Sequence, residues 1–219
     1  MHFCTSVRGN AILPRAAAEQ FWSLSFCLRP PVSTERQFIA IDPPAAVRDQ
    51  LSALYEPVRG IAWTRPEQLH LTLRFLGDVE IALRETLEAA LARVAVEGFV
   101  LPVGGLGVFP PRGPARVLWA GVGRGHPRLH QLRQQIDDAL LGCGLALDVR
   151  FFQPHLTLGR VKDEAPPGAV AQFLKRHKDY EAGLFRAAAF VLYASELRAA
   201  GAVHTPRRVF PLREAAEAG

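Results

Sequence analysis

The chain reads as a mixed strand-and-helix protein of two similarly ordered halves, and three observations lead there. Short apolar and β-branched runs alternate with segments whose apolar residues recur at helical spacing. The order strand, helix, strands occurs twice. One tetrapeptide, His-Leu-Thr-Leu, stands at residues 70–73 and again at 155–158, each time inside a predicted strand. A length of 219 residues, 49% of them apolar and 21% charged, suits one two-lobed domain or two small ones and excludes fibrous, collagen-like and wholly disordered chains. No apolar run approaches the roughly 18 residues of a bilayer-spanning helix. A protein that works in water, away from membranes, is expected.

The regular patterns begin at Gln37. Phe38 to Ile41 is a short strand ended by Asp42-Pro43-Pro44, an acid followed by prolines that predicts an N-cap and first turn for a helix over Ala46 to Tyr55. Ile61 to Trp63 and Leu69 to Leu76 read as strands. After a break at Gly77-Asp78, residues Ile81, Leu83, Leu87, Leu91 and Val94 mark a second amphipathic helix. Val100 to Phe109 and Arg116 to Val122 are strands around the loop Pro110-Pro111-Arg112-Gly113-Pro114, and a helix follows from Pro127 to Leu141. A strand from Arg150 to Leu158, a short helix from Ala169 to Arg176, a strand from Leu184 to Ala194 and an apolar segment at Val209 to Leu212 complete the series.

Residues 1–36 lack a sustained period and are expected to be a weakly ordered extension. Met1 is the only methionine, so a shorter product would start at a codon such as that of Val32. Residues 37–213 form the globular part and 214–219 a tail. Cys4, Cys27 and Cys143 are odd in number, far apart and without a C-x-x-C pair, which argues against a disulfide framework or structural zinc and favours a reducing cytoplasm. The net charge of +5 is carried almost wholly by arginine, the lysines being Lys162, Lys175 and Lys178 alone. The planar guanidinium fork suits phosphate oxygens, though GC-rich coding yields the same bias.

The repeated tetrapeptide carries the chemistry. Side chains two apart on a strand share a face, so His70 and Thr72 project together, as do His155 and Thr157, while the flanking leucines turn inward. Strict alternation puts Leu69, Leu71, Leu73 and Phe75 in the core and Arg74 with His70 and Thr72. Arg160 has the wrong parity relative to His155 unless Gly159 breaks the strand. Two imidazoles, with an unperturbed pKa near 6.5, can act together as base and acid near neutral pH. Hydroxyls on non-bridging oxygens and a nearby Arg suit an in-line displacement at phosphorus, and a threonine hydroxyl is a poor metal ligand. One His-x-Thr on a strand is ordinarily a plain structural feature; both His and both Thr recurring in similarly ordered halves are not a matter of strand composition.

The sequence resembles the two-histidine (2H) phosphoesterase family and, within it, the RNA 2′,3′-cyclic phosphodiesterases, also called 2′-5′ RNA ligases. The resemblance covers about residues 37 to 213. It rests on Phe38-Ile39-Ala40-Ile41-Asp42 before proline, His70-Leu71-Thr72-Leu73-Arg74-Phe75-Leu76-Gly77, Gly107-Val108-Phe109-Pro110 before Val117-Leu118-Trp119, Pro154-His155-Leu156-Thr157-Leu158 and Phe210-Pro211-Leu212. It implies an α+β, bilobed fold: two related lobes whose antiparallel sheets line a central cleft, with helices outside. It also implies hydrolysis of a terminal RNA 2′,3′-cyclic phosphate to a 2′-phosphate without metal or cofactor, possible 2′-5′ ligation, and a monomer acting on RNA ends. By the same resemblance His70 is the proton donor to the departing 3′ oxygen and His155 the base that activates water; the residues themselves do not order these roles, because the tetrapeptides are identical. Thr72, Thr157, Arg74 and Arg160 are the expected phosphate ligands. At Gly201-Ala202-Val203-His204, where relatives often carry Tyr, this chain departs from the pattern.

Other motifs have simpler readings. Gly121-Val122-Gly123-Arg124-Gly125 places its third glycine one position early for a dinucleotide turn, so a tight strand-to-helix turn suffices. His126 and His130 have metal-ligand spacing without a supporting acid, and a solvated helix face accounts for them; His177 lies in a polar helix end. Two rival functions remain: a cyclic phosphodiesterase of small nucleotides, and a non-catalytic module that holds RNA ends with Arg and with Trp63, Phe109 and Trp119.

Overall fold

Among the described residues, one antiparallel sheet of nine strands, narrowed at its centre to a single residue pair that divides it into two sheet halves, organises the chain. The computed structural model describes residues 33–146, 148, 151–198 and 201–214. The strands are β1 (Thr34–Ile41), β2 (Ile61–Trp63), β3 (Leu71–Glu80), β4 (Phe99–Phe109), β5 (Val117–Val122), β6 (His155–Val161), β7 (Glu181–Ala187), β8 (Ala189–Arg198) and β9 (Gly201–Pro211). The helices are α1 (Ala45–Ser52), α2 (Arg84–Leu91), α3 (Pro127–Gly142) and α4 (Ala169–Arg176). One sheet runs β3-β1-β8-β9 and the other β7-β4-β5-β6, with β2 extending β6. They meet where Leu71 of β3 pairs with Leu156 of β6. This is an α+β, bilobed architecture.

The lobes are not successive halves of the chain. The run read as one strand from Leu184 to Ala194 is two: β7 closes the second sheet beside β4, and β8 begins two residues later against β1 in the first. The β8–β9 hairpin then covers residues for which the sequence indicated only the Val209–Leu212 segment. Pairing across more than a hundred residues, invisible to local periodicity, decides this. β1 starts at Thr34, three residues ahead of the expected boundary at Gln37, because Thr34, Glu35 and Arg36 pair with Glu80, Val79 and Asp78. Of the expected extension, residues 1–32 lie outside the described residues, as do 215–219 of the tail.

Helix phasing follows the apolar positions. Val47 and Leu51 of α1, Leu87 and Leu91 of α2, Leu129, Leu132, Ile136 and Leu140 of α3 and Phe173 of α4 are buried at spacings of three and four. They pack on a core that includes Ile39, Ile41, Leu71, Leu73, Leu156 and Leu158. The expected break at Gly77-Asp78 does not occur. Gly77 has φ 74, and the pairs Gln37–Gly77 and Phe38–Phe75 leave Leu76 as the extra residue of a bulge through which β3 continues. The predicted cap is also different: the N-cap residue of α1 is Pro44, and Asp42 instead accepts a 2.6 Å hydrogen bond from the Tyr193 hydroxyl.

Leu71 and Leu156 are fully buried where β3 pairs with β6. Leu71→Ala and Leu156→Ala should each cost about 2–5 kcal/mol, and the double variant less than their sum because the residues are neighbours. Equilibrium urea unfolding measures this; losses below about 1 kcal/mol would show that the junction bears little of the fold.

Candidate active site

The Leu71–Leu156 pair sets the geometry of the site. Its antiparallel register places His70 opposite Thr157 and Thr72 opposite His155, with both leucines turned into the core. The two tetrapeptides therefore form one quartet, related by a pseudo-twofold axis through the leucine pair. Directly opposed positions have Cβ atoms about 4.5–5.5 Å apart, within the reach of one phosphate group.

Both imidazoles are held alike. His70 Nδ1 donates to the Gln68 carbonyl at 2.7 Å, and His155 Nδ1 donates to the Gln153 carbonyl at 2.7 Å. With the proton on Nδ1, Nε2 of each neutral ring is the basic atom. A glutamine stands two residues before each histidine, so the repeat is longer than the tetrapeptide and its signal was present in the sequence. Packing fixes each ring further: Phe38 lies 4.9 Å from His70, and Phe109 stands edge-on to His155 at 5.0 Å. Trp119, the cross-strand partner of Thr157, lies near His155 with its indole over Gly107; a Cβ there would come within 2.2 Å of the ring. Trp63, expected among the aromatics that hold RNA ends, is instead stacked with Tyr55 and packed on Phe173 in the core.

The two arginines exchange their expected places. In β3, Ala40 pairs with Thr72 and Ile39 with Arg74, so Leu73 is the extra residue of a bulge and the alternation inverts after it. Arg74 turns to the helix side, where it is 5% exposed and meets Asp137 at 3.3 Å and Asp148 at 3.3 Å, while Phe75 turns to the cleft and is 52% exposed. Arg74 is thus removed from the expected phosphate ligands. In β6, Trp119 pairs with Thr157 and Leu118 with Gly159, making Leu158 the equivalent bulge. That step brings Arg160, exposed, onto the same face as Thr157 and His155. Phe75 and Arg160 occupy equivalent positions in the two copies.

Sequence reasoning did not reach the wall beside His70. A pocket of about 280 Å³ opens there, lined in part by Phe38, Asp42, Glu67, Gln68, Tyr193 and His204. His204, in the segment where the resemblance departs, stands edge-on to His70 at 5.3 Å and to Phe38 at 4.9 Å. A larger pocket of about 370 Å³ between α2 and α3 touches none of the quartet. His126 stacks on Phe99 and His130 stands edge-on to Phe152. Among the described residues no group of three or more His, Cys, Asp or Glu is placed to hold a metal ion.

Burial lowers the pKa of His70 from 6.5 to about 4, aided by the neighbouring His204 and His155 and opposed by the Gln68 carbonyl and Asp42. Burial also lowers His155 and His204. Below about pH 6.5 the unfolded chain's imidazole therefore takes a proton that folded His70 refuses. Stability is full above that pH and falls as pH drops toward 4. His70 should contribute on the order of 2–3 kcal/mol of this loss. Urea unfolding at pH 7 and 4.5 should show a smaller acid loss for His70→Gln than for the parent; equal losses would contradict a neutral, desolvated His70.

A profile of the LigT like Phosphoesterase family matches residues 41–119 and 122–204. An RNA 2′,3′-cyclic phosphodiesterase of Archaeoglobus fulgidus is 31% identical over 178 residues, covering 80% of this chain and 99% of that protein. One of Methanothermobacter thermautotrophicus is 31% identical, with 81% and 98% covered. Among solved structures, Escherichia coli LigT complexed with 3′-AMP superposes with a TM-score of 0.68 at 27% identity, covering 83% of this chain and 100% of that one. Repeated motif, two-sheet architecture and length of match agree, and the chain belongs to the LigT-like phosphoesterase family.

Proposed function

We propose that the protein is an RNA 2′,3′-cyclic phosphodiesterase that opens a terminal 2′,3′-cyclic phosphate to a 2′-phosphate by acid–base catalysis at His70 and His155. The observation that carries this reading is the quartet: two imidazoles, each with Nδ1 tied to a carbonyl, and two hydroxyls around one leucine pair. The A. fulgidus and M. thermautotrophicus relatives bear the name of this activity.

His155 Nε2 takes a proton from water as its oxygen bonds to phosphorus. The P–O3′ bond breaks on the opposite side, and His70 gives its Nε2 proton to O3′, leaving the phosphate on O2′. Two Nε2 atoms related by a pseudo-twofold axis suit attack and departure on opposite sides of phosphorus. Thr72 and Thr157 donate to the non-bridging oxygens, and Arg160 on the same face offsets the growing negative charge. A 5′-hydroxyl in the place of water would give 2′-5′ ligation by the same sequence of proton transfers.

The electrostatics impose one condition. In the resting protein burial keeps His70 mostly neutral at pH 7, so a proton donor must be charged by its substrate. The phosphodiester anion does this, because an opposite charge within a few ångströms raises an imidazole pKa. The kcat profile, which reports the bound state, should be a bell whose optimum lies at higher pH than that of kcat/KM, which reports the free enzyme. Coincident optima would show that substrate charge does not tune the pair.

Purified protein offered RNA oligomers and mononucleotides bearing 2′,3′-cyclic phosphate, with chelator in excess, should release 2′-phosphate products. His70→Ala and His155→Ala should each lower kcat by about 10²–10⁴-fold, and the double variant by less than the product of the two. Thr72→Ala, Thr157→Ala and Arg160→Ala should cost less individually, since other donors still hold the anion. A 3′-phosphate product, or near-parental turnover in a folded histidine variant, would refute the reading. Binding of RNA ends with no turnover would favour the non-catalytic module, and turnover of mononucleotides alone the small-nucleotide enzyme.

A further inference from the structure

Beneath the floor of the site, Arg133 of α3 is 9% exposed and lies far along the chain from either histidine. Its Nη1 donates to the Leu73 carbonyl, the backbone group of the bulged residue that follows Thr72. Its Nε meets Asp137 at 2.7 Å, its Nη2 lies 3.8 Å from Asp148, and its guanidinium stands 5.2 Å from the centre of the Phe152 ring. Arg74 completes the cluster, bridging the same two aspartates and donating Nη2 to the Ala146 carbonyl. Opposite charges face one another across this largely buried space, the condition under which buried charge is tolerated.

The connectivity is what matters. Leu73 directly follows the His70–Thr72 motif; Phe152 directly precedes Gln153, whose carbonyl fixes His155, and Asp148 and Ala146 lie five and seven residues before Gln153. Among the described residues, the Leu71–Leu156 pair is the backbone pairing between the strands that carry the two histidines; the other link between the halves, Glu97 with Arg213, lies at the far end of β4 and β9. A β-bulge leaves its extra residue outside regular pairing, so an external donor is needed to hold it. Arg133 supplies that donor from a helix shared by both motifs.

We propose that Arg133 is a positioning residue for the two-histidine pair: by tying the Leu73 bulge to Asp148 and to Phe152, the neighbour of Gln153, it sets where the His70 and His155 rings stand relative to each other. Only the kinetic arm of the test rests on the phosphodiesterase reading. A misplacement of about 1 Å between reacting groups can cost on the order of 100-fold in rate, whereas phosphate contacts from Thr72, Thr157 and Arg160 are left in place. Loss of Arg133 should therefore lower kcat and spare KM.

Arg133→Met alone would strand Asp137, so Arg133→Met is paired with Asp137→Leu, which removes one charge of each sign and leaves the Arg74–Asp148 pair in place. The double variant should unfold cooperatively within a few degrees of the parent, with kcat reduced about 10- to 100-fold and KM within about twofold. In the resting protein, the ring ¹H and ¹⁵N resonances of both His70 and His155 should shift. Arg133→Lys, which keeps the charge on a single ammonium but cannot span both aspartates, should recover part of kcat; should the double variant fail to fold, this variant decides, with reduced kcat at near-parental Tm expected. Parental kcat in a folded variant, or unshifted resonances of both rings, would overturn the proposal. A parent without turnover on any cyclic phosphate would refute the phosphodiesterase reading, and the ring resonances would still test Arg133.

Discussion

One antiparallel contact, Leu71 against Leu156, makes a single site out of two distant copies of a motif. Strand periodicity alone gives each copy a His and a Thr on one face. Pairing the copies head to tail gives a quartet in which each imidazole faces the other copy's hydroxyl. The leucines that make the contact are fully buried, so the requirement of the core and the requirement of the chemistry are met by the same residues. A slip of one residue between β3 and β6 would send the histidines to the core and the leucines to the cleft.

The two copies are alike through the threonine and its bulged leucine, and differ after it. At the next position β3 has Arg74, which enters the buried ion cluster, and β6 has Gly159, packed against β2. At the following position the cleft receives Phe75 from one copy and Arg160 from the other. One side of the cleft is thereby aromatic and the other cationic, and His204 beside His70 adds to the difference. A site symmetric in its imidazoles and hydroxyls is asymmetric in its surroundings, and the proposed reaction, with distinct attacking and departing oxygens, would use that difference.

What the sequence disclosed was what depends on period and repetition. Short strands, amphipathic helices and the four quartet residues were legible because alternation and helical spacing are local properties, and because the tetrapeptide occurs twice. The parity of Arg74 and Arg160 was not, since a bulge at Leu73 or Leu158 leaves no mark in a run that still alternates. The transfer of the chain from β7 to β8 at Ala188 was hidden for a different reason: no Gly or Pro marks the junction, and only long-range pairing separates the two strands. Asp42 read as a helix cap because an acid before prolines usually is one; Tyr193, distant in sequence, claims it instead. The glutamines at 68 and 153 were visible, but their carbonyls acquire meaning only once each histidine is seen to donate to one.

The central claim is that the two histidines are equivalent in their hold and complementary in their action, each working through Nε2. Ring ¹⁵N spectra of the full-length protein, recorded across pH with and without inorganic phosphate, test it most directly. The account predicts Nδ1-protonated neutral rings for both His70 and His155 at pH 7, with apparent pKa values below 6.5 that rise when phosphate binds. Rings protonated on Nε2, or pKa values indifferent to phosphate, would contradict it.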